Sequence, residues 1–396
     1  MNLSAAFLLV SAAVFMSLQV KAAELPQLVS TDVGGHPESV LSLMSEFYVS
    51  NMGQKAGLLK DGDGYISILD LNGHKSQRDF IPANGTLNSP TSMLYYGGDF
   101  LVADIDRVVR LDFFSKKVKA VIDFQAVGAG FINDMVVVGS NKVVVSESVL
   151  KKLFVIDLLT NSFTELHVPS DQPAFAPNGL AFEFASNFDG GTLFIAENEK
   201  HALGSAHGRV TAVRLDFNQN VLETRRSALF GNFIDGIALI APDQVMVSDW
   251  VAFGEPGQLH ILMKDPLTVQ TTYTLAADGF ADFSYQDSFS RIVSPDLVNG
   301  KVFFNQYLGN YESVAAGEGY RKCRANINVT ACARSCSDQF CLRDCLDQTD
   351  FTCAEANFCR ATCSADCGDQ FCVRRCGQEC EAKISNARSG RGGSRP

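Results

Sequence analysis

Six short segments of the chain each lead into an apolar strand, and four of them carry an oxygen donor at the second position. The residues at that position are Glu38, Thr91, Asn133, Asn178, Asp235 and Ala281. Two carboxylates and two amide oxygens gathered at one point would repel one another or lose their hydration unless a cation lay between them. An all-oxygen set favours Ca²⁺, followed by Mg²⁺ or Mn²⁺, because zinc sites more often use His or Cys.

Ordinary turn chemistry is the alternative explanation of the same residues. Asn178-Gly179 and Asp235-Gly236 are common hairpin-turn pairs. Glu38 favours the metal site, because glutamate is a poor turn residue and has little structural reason to follow Pro37. Four protein oxygens would also leave coordination positions open for water or substrate, which hydrolytic metal catalysis requires.

The elements that would bring these residues together are six copies of one repeating unit. Each copy contains a short β-type run that ends in a polar or acidic residue, and the end residues lie 53, 43, 50, 52 and 56 positions apart. These end residues are Asn51, Asp104, Glu147, Glu197, Asp249 and Asn305. An apolar strand precedes each run. A third strand and often a fourth follow it, as in Arg107–Leu111 and Val118–Ile122.

Four short antiparallel strands at a period near 50 residues, with turns rich in Gly, Asn and Asp, are typical of a propeller blade. The sequence therefore predicts an all-β fold, a six-bladed β-propeller over residues 23–320, in which the first strand of each blade lines the central channel. Too few residues follow Asn305 for two further strands, so Leu28–Thr31 is predicted to complete the last blade. A two-sheet sandwich or a solenoid is the competing architecture, but neither predicts six similar segments in register.

On these segments the chain resembles the regucalcin/gluconolactonase family and its relatives, the paraoxonases, the squid-type diisopropylfluorophosphatase and the strictosidine-synthase-like proteins. The similar segments, spread over about residues 25–315, are Pro37-Glu38-Ser39, Ile132-Asn133-Asp134, Pro177–Phe182 and Asp235–Ala238. The resemblance implies a six-bladed propeller with a catalytic Ca²⁺ in its channel. The ligands that it implies are Glu38, Asn133, Asn178 and Asp235.

Two departures from that family bear on the substrate. Gluconolactonase-like members carry an Arg two residues before the first metal-binding Asn, where it contacts a sugar lactone, and this chain has Phe131 there. Nor does the chain carry a histidine pair like that of the paraoxonases, since only His36 of its six histidines lies near one of the segments. A sugar acid lactone is therefore a poor candidate substrate. We interpret His36 as a supporting or surface residue rather than a general base.

Two functions fit this set of residues. The first is a metal-dependent hydrolase of lactones, esters or phosphotriesters, with Asp235 and Glu38 as the predicted catalytic residues and Asp235 or a metal-activated water as the nucleophile. The second is a non-enzymatic secreted propeller with a structural metal, which contacts a protein or matrix partner through its face or its cysteine-rich region. The formal charge of −11 argues against a nucleic-acid partner, because phosphate binding needs a basic surface.

The first residues predict export from the cell. Residues 1–22 are predicted to be a signal peptide, because an apolar run from Leu3 to Val20 precedes the small-residue pattern Val20-Lys21-Ala22. The alternative is an uncleaved membrane anchor, since this run is nearly long enough to span a bilayer. Cleavage would leave a secreted protein with no other membrane span. Sequons at Asn84 and Asn328 predict N-glycosylation in the same compartment.

All twelve cysteines fall within residues 321–382, which are predicted to be a small helical module stapled by disulfides. They are Cys323, Cys332, Cys336, Cys341, Cys345, Cys353, Cys359, Cys363, Cys367, Cys372, Cys376 and Cys380. The module repeats itself at an interval of 31 residues, and cysteines four apart share one helix face. The disulfide pairing stays open, and metal binding by thiolates is the alternative, on a loose resemblance to the vanabins. Residues 383–396 are predicted to be a disordered Arg/Gly tail.

Overall fold

The computed structural model describes residues 22–307, except 56, 78, 170–174, 187–188, 200–206, 253 and 287–289. Within this part of the chain, β-strands form six sheets, and the helical structure is a single 3₁₀ turn, Gln125–Val127. The predicted all-β, six-bladed propeller is confirmed. None of the described residues form a helix long and apolar enough to cross a membrane. The predicted signal peptide, cysteine-rich module and tail lie outside the described residues, apart from Ala22.

The strands follow one another along the chain blade by blade, from the channel to the rim. Two short strands come before the first blade: β1 (Ala23–Glu24) and β2 (Gln27–Asp32). The first blade contains β3 (Pro37–Leu43), β4 (Glu46–Asn51) and β5 (Tyr65–Asp70). The second contains β6 (Pro90–Tyr96), β7 (Asp99–Asp104), β8 (Arg107–Asp112) and β9 (Val118–Asp123). The third contains β10 (Ile132–Gly139), β11 (Lys142–Glu147), β12 (Lys152–Asp157) and β13 (Ser162–Leu166).

The remaining three blades repeat this order. The fourth contains β14 (Ala176–Phe184), β15 (Gly191–Asn198), β16 (Gly208–Leu215) and β17 (Val221–Arg226). The fifth contains β18 (Ile234–Ala241), β19 (Gln244–Asp249), β20 (Pro256–Lys264) and β21 (Leu267–Asp278). The sixth contains β22 (Ser284–Gln286), β23 (Arg291–Asp296) and β24 (Lys301–Gln306). Neighbouring strands within each of the six blades pair antiparallel.

The ring is closed by the start of the chain. Strand β2 pairs antiparallel with β24 and becomes the outer strand of the sixth blade, with Val29 opposite Phe304. The prediction that Leu28–Thr31 completes the last blade is therefore confirmed. Strand β1 pairs parallel with β21 and adds a fifth strand to the fifth blade. The first described residues thus join the last two blades to the first, because the chain runs from β2 directly into β3.

One strand assignment made from the sequence is wrong. The run Val302–Asn305 was expected to be the second strand of the sixth blade, but it lies in β24, the third strand from the channel. The second strand is β23, which ends at Asp296. The physical reason is that β23 carries Arg291 and Pro295 and lacks the long apolar run of the corresponding strands.

The core of the protein is divided among the junctions between blades. Six apolar clusters of buried side chains occupy these junctions, one between each pair of adjacent blades. At the junction of the sixth and first blades, Phe304 and Phe47 meet edge to face with ring centroids 5.3 Å apart. Each such buried side chain contributes roughly 1.5–3 kcal/mol of hydrophobic stabilisation. Because the middle strands are covered on both faces, all six residues of β7 are buried.

Candidate functional site

The predicted oxygen donors lie in β-bulges at the N-terminal ends of the inner strands, which line the channel. The pairing register of each of the first five inner strands shifts at the same place, between Pro37 and Ser39 in β3 and at the matching positions of the next four blades. The residues within these shifts include Glu38, Thr91, Asn133, Asn178 and Asp235. A bulge leaves a residue unpaired and turns its side chain away from the regular alternation. The inner strands therefore direct these side chains independently of the pleat.

The bulges also correct the turn interpretation. Asn178-Gly179 lies within β14 and Asp235-Gly236 within β18, so neither pair forms a hairpin turn. Glycine is needed at both places for another reason. A Cβ on Gly179 would lie 2.4 Å from the carbonyl oxygen of Asp235, and one on Gly236 would lie 2.4 Å from Asp282 Oδ1. The two glycines let neighbouring inner strands approach closely at the channel.

Three of the four predicted ligands carry a buried oxygen without a hydrogen-bond partner. All four residues, Glu38, Asn133, Asn178 and Asp235, are at most 4% exposed. Within the described part of the chain, Glu38 Oε2, Asn178 Oδ1 and Asp235 Oδ1 accept no hydrogen bond. A buried polar atom left unpaired costs about 1–3 kcal/mol, so three of them in one channel require an explanation. A bound cation would supply the missing partner, and the residues fit such a group.

The backbone around Asp235 is fixed by asparagine side chains of the fourth blade. Asn198 Nδ2 donates to the carbonyl oxygen of Ile234 at 2.7 Å, and Asn198 Oδ1 accepts the Ile234 N–H at 3.0 Å. The amide nitrogen of Asn178 also points to the Ile234 carbonyl, at 3.5 Å. Because its nitrogen is directed there, Asn178 Oδ1 is left as the oxygen without a partner.

Asn133, the fourth predicted ligand, is tied to the neighbouring blade. Its Nδ2 donates to Ser148 Oγ at 3.4 Å, and Ser148 Oγ donates to the Pro177 carbonyl at 2.6 Å. The other two second-position residues are Thr91 and Ala281. The Thr91 hydroxyl donates to the Ile132 carbonyl at 2.9 Å, and the Ala281 side chain has no donor or acceptor. Asn133 therefore shares the register of the other predicted ligands but makes a different contact.

Two carboxylates at the channel escaped the sequence reasoning. Asp134 Oδ1 accepts the Ser92 hydroxyl at 2.6 Å, and its Oδ2 accepts the Leu180 N–H at 2.6 Å. Asp282 Oδ2 accepts the Ser39 hydroxyl at 2.7 Å. The signal that could have identified them is the third position of the same segments, where Ser39, Ser92, Asp134, Gly179, Gly236 and Asp282 follow the six second-position residues.

The channel therefore concentrates negative charge in a buried place. Burial raises the pKa of Glu38 well above its usual value, and the charges of neighbouring carboxylates, first of all Asp235, raise it further. Burial likewise raises the pKa of Asp282 well above its usual value, and the Asp134 charge adds to the effect. Burial raises the pKa of Asp235 to about 7, with a further contribution from the Asp134 charge, against the opposing hydrogen bonds from Trp250 and Asn178. Burial raises the pKa of Asp134 to about 6. Four carboxyl groups thus disfavour full ionisation unless positive charge is added.

Amide oxygens are needed in any cation site here. Among the described residues, no three His, Cys, Asp or Glu side chains are arranged to hold a metal ion by themselves. The predicted set contains only two such residues, Glu38 and Asp235. A cation at the bulges would therefore need oxygen ligands from asparagine as well, which is the donor chemistry of Ca²⁺ rather than of Zn²⁺.

Serine side chains in the second strands join the bulges of adjacent blades. Ser146 Oγ accepts the Asp134 N–H at 2.9 Å and donates to the Asn178 carbonyl at 2.6 Å. Ser50 and Ser248 make the same donor contact to the carbonyls of Thr91 and Ala281, at 2.7 and 2.9 Å. These contacts hold the inner strands in fixed positions relative to one another, and they occupy the serine hydroxyls. Ser248 therefore has a structural role.

The acids at the ends of the second strands hold the segments that precede the bulges. Glu147 Oε1 accepts the N–H groups of Gly130 and Phe131, and Asp249 Oδ1 accepts that of Phe233. Asp104 accepts backbone N–H groups of Asn88 and Ser89 in the same way. Glu197 instead pairs with Arg209 at 2.6 Å. These acids thus position the strand entrances.

His36 and His260 have different partners. His36 Nδ1 lies 2.9 Å from the Leu297 carbonyl, so it links the segment before β3 to the sixth blade. His260 is buried and places Nε2 at 3.1 Å from Asp249 Oδ2. The residue after Asp249 is Trp250, whose Nε1 donates to Asp235 Oδ2 at 2.8 Å. Sequence reasoning missed both His260 and Trp250, because neither belongs to one of the six segments.

Comparison with known proteins adds the fold and nothing finer. No protein-family model matches the chain, and no curated protein matches its sequence. Among solved structures, the chain is similar to a luciferin-regenerating enzyme, with a TM-score of 0.50 and 12% sequence identity. The match covers 71% of this chain and 96% of that protein. At this identity the similarity shows the six-bladed propeller alone.

The remaining predicted sites lie elsewhere. Asn84 is in the exposed segment between β5 and β6, where its Oδ1 accepts the Thr86 hydroxyl at 2.6 Å. Asn328 and all twelve cysteines lie outside the described residues. The predicted glycosylation and disulfides therefore stay predictions.

Proposed function

We propose that this protein is a secreted, metal-dependent hydrolase of lactones, esters or phosphotriesters, with Ca²⁺ as the metal. The observation that carries the proposal is the set of three buried oxygens without partners, Glu38 Oε2, Asn178 Oδ1 and Asp235 Oδ1. They belong to bulges at one register position of three inner strands. A fold shared with an enzyme is compatible with a hydrolase but says nothing of the substrate.

The ligands would be Glu38, Asn178 and Asp235, with Asn133 as the fourth. All four are buried at the channel ends of the inner strands. When bound, Ca²⁺ would act as a Lewis acid that polarises the carbonyl or phosphoryl oxygen of the substrate. Because the donor set is two carboxylates and two amides, it would leave positions for substrate and water.

Asp235 is the residue best placed to act on the substrate. Its Oδ2 is occupied by the Trp250 indole, whereas its Oδ1 accepts no hydrogen bond. Oδ1 would therefore face the cation with one lone pair, and its second lone pair would attack the substrate or accept a proton from an attacking water. Glu38 would share the cation and offset its charge. The carboxylates of Asp134 and Asp282 accept hydrogen bonds from Ser92, Leu180 and Ser39. These two residues would add negative charge without touching the substrate.

A structural cation is the second candidate function, and the crowding of carboxylates favours it. Burial raises the pKa of Glu38, Asp134, Asp235 and Asp282, so a cation would relieve their repulsion whether or not chemistry follows. In that case the propeller would serve as a binding platform, with the cysteine-rich region as a further contact for a protein or matrix partner. Both candidates share the metal and differ in turnover.

Secretion from the cell is part of the proposal. Cleavage after residue 22 would free a chain that begins at Ala23, the first residue of β1. Export would also expose the cysteine-rich region to oxidation and Asn84 to glycosylation. Secretion of the chain with a mass shift that is lost in Asn84→Gln and Asn328→Gln would support this address. Retention of the full-length chain in the membrane would overturn it.

The hydrolase proposal is tested on residues 23–396 produced through a secretory pathway. Bound metal is measured by elemental analysis, and a panel of lactones, aryl esters and phosphotriesters is assayed with Ca²⁺ and with chelator. Glu38→Gln and Asp235→Asn are expected to lose bound metal and turnover together, while Asp61→Asn, at an exposed position, serves as the matched control. Silence across the panel with metal still bound would favour the structural cation. Full activity of Asp235→Asn would overturn the role of Asp235.

A further inference from the structure

The indole of Trp250 holds one oxygen of Asp235. Trp250 Nε1 lies 2.8 Å from Asp235 Oδ2, and the two residues are 8% and 3% exposed. An indole carries a single N–H and accepts no hydrogen bond. The contact therefore fixes which carboxylate oxygen is used, and Oδ1 is left as the oxygen without a partner.

Phe233 contacts both the backbone and the side chain of Trp250. The backbone N–H of Trp250 donates to the Phe233 carbonyl at 3.0 Å, and the Phe233 ring meets the indole edge to face, with ring centroids 6.0 Å apart. Trp250 also belongs to a buried apolar cluster with Met52, Phe233, Ala281 and Leu297. The ring therefore packs among segments of the fifth, sixth and first blades.

The preceding residue anchors the same segment. Asp249 accepts the N–H groups of Asn232 and Phe233 at 3.0 and 2.9 Å, and also that of Val251 at 3.0 Å. His260 Nε2 completes its partners at 3.1 Å, and His260 Nδ1 lies 2.9 Å from Thr272 Oγ1. The chain around Trp250 is therefore hydrogen-bonded to the segment that precedes β18 and to β20, which fixes the direction of the indole N–H.

We propose that Trp250 is a positioning residue, which fixes the Asp235 carboxylate so that Oδ1 faces the cation shared with Glu38 and Asn178. This inference rests on the proposed metal site. Groups that hold metal ligands in place from behind typically change metal affinity by about 10–100-fold when removed. Since Trp250 is the single tryptophan of the chain, its emission also reports on its contact with Asp235.

Packing and hydrogen bonding can be separated by two substitutions. Trp250→Phe keeps an aromatic ring in the cluster but removes the N–H. Leu297→Ala opens the same cluster and keeps the indole and its hydrogen bond. A residue that acts only by filling space would give similar effects in the two variants, whereas a positioning residue would affect metal binding only when the N–H is lost.

The test is calorimetric titration of Ca²⁺ into metal-stripped residues 23–396, with tryptophan emission recorded in parallel. For the wild type we expect a saturable change in emission whose midpoint equals the calorimetric one. Trp250→Phe is expected to bind Ca²⁺ about 10–100-fold more weakly, with Leu297→Ala close to wild type. Far-UV circular dichroism and thermal melts establish that both variants are folded.

Three results would overturn the positioning role and leave the metal site intact. The first is calorimetric binding with flat emission, and the second is a Trp250→Phe affinity equal to that of the wild type. An equal loss of affinity in Leu297→Ala would also overturn it, since packing would then explain the effect. Absence of any Ca²⁺ binding by the wild type would overturn the proposed function itself, and this inference with it.

Discussion

Ser39 Oγ of the first blade donates a 2.7 Å hydrogen bond to Asp282 Oδ2 of the last blade. The two residues are 243 positions apart in the chain, and their blades are adjacent in the ring. A second bond crosses the same junction, from the Asp282 N–H to the Glu38 carbonyl at 3.0 Å. Ring closure and the candidate site therefore use the same residues, because Glu38 is the bulged residue next to Ser39.

Removal of this hydroxyl should weaken the closed ring. We expect Ser39→Ala to lower the free energy of unfolding by about 1–3 kcal/mol, because a buried carboxylate oxygen loses its partner. Denaturant unfolding of the metal-free protein measures the change. Ser115→Ala, which removes an exposed hydroxyl from a turn, is the matched control. A Ser39→Ala variant as stable as this control would contradict the account of the junction.

The N-terminal strands should be required for the propeller. A chain that begins at Val33 lacks β1 and β2, so β24 and β21 would each lose a partner strand. We expect it to melt at a much lower temperature than a chain that begins at Ala23, and to expose an unpaired edge that promotes aggregation. Differential scanning calorimetry and light scattering compare the two chains. Equal melting temperatures would show that the closure by β2 is dispensable.

The pH dependence of stability should differ between the metal-free and Ca²⁺-loaded protein. Burial raises the pKa of Asp134 to about 6 and of Asp235 to about 7, from usual values of 3.8. Between the unfolded and folded pKa values the folded state binds more protons, so stability falls as pH rises through this range. In chelator we expect a lower melting temperature at pH 7.5 than at pH 5. Saturating Ca²⁺ should remove much of this decline.

A matched variant isolates the source of that dependence. Asp282→Asn removes one of the charges that raise the pKa of Glu38, so it should reduce the loss of stability between pH 5 and pH 7.5 in chelator. Melting curves of the two proteins at both pH values provide the comparison. A metal-free wild type that becomes more stable toward pH 7.5 would contradict the repulsion argument.

Asp249 should matter to stability although it touches no predicted ligand. Its carboxylate accepts N–H groups from Asn232, Phe233 and Val251 and lies 3.1 Å from His260. In Asp249→Asn the side-chain amide would point toward these N–H donors, and we expect the free energy of unfolding to fall by about 2 kcal/mol. Asp216→Asn, at an exposed turn, is the control. Chemical denaturation that finds equal stabilities for the two variants would refute this role.

Sequence reasoning worked where side-chain type and spacing alone carry the signal. The six units, the inner strands of the first five blades and the closing strand at Leu28–Thr31 follow from period and alternation, and the structure has them. The prediction failed at Val302–Asn305, because β23 contains Arg291 and Pro295 and so resembles a loop. Asn178-Gly179 has the composition of a turn, but its place in a bulge depends on pairing with β15, which local sequence does not encode.

The site residues divide in the same way. Glu38, Asn133, Asn178 and Asp235 were predicted as a set because they occupy one repeated position. Trp250 was missed, because its contact with Asp235 depends on how β18 and the end of β19 are packed. Asp134 and Asp282 were missed for a simpler reason, since the other four blades have Ser or Gly at the same third position and no common residue type marks it.

The central claim is that the bulged residues bind one Ca²⁺, and calorimetric titration of the metal-stripped protein tests it most directly. We predict a single site in residues 23–396 that is lost or greatly weakened in Glu38→Gln and in Asp235→Asn, and retained in Asp61→Asn. Wild-type protein that takes up no Ca²⁺, or variants that bind it as tightly as the wild type, would contradict the claim.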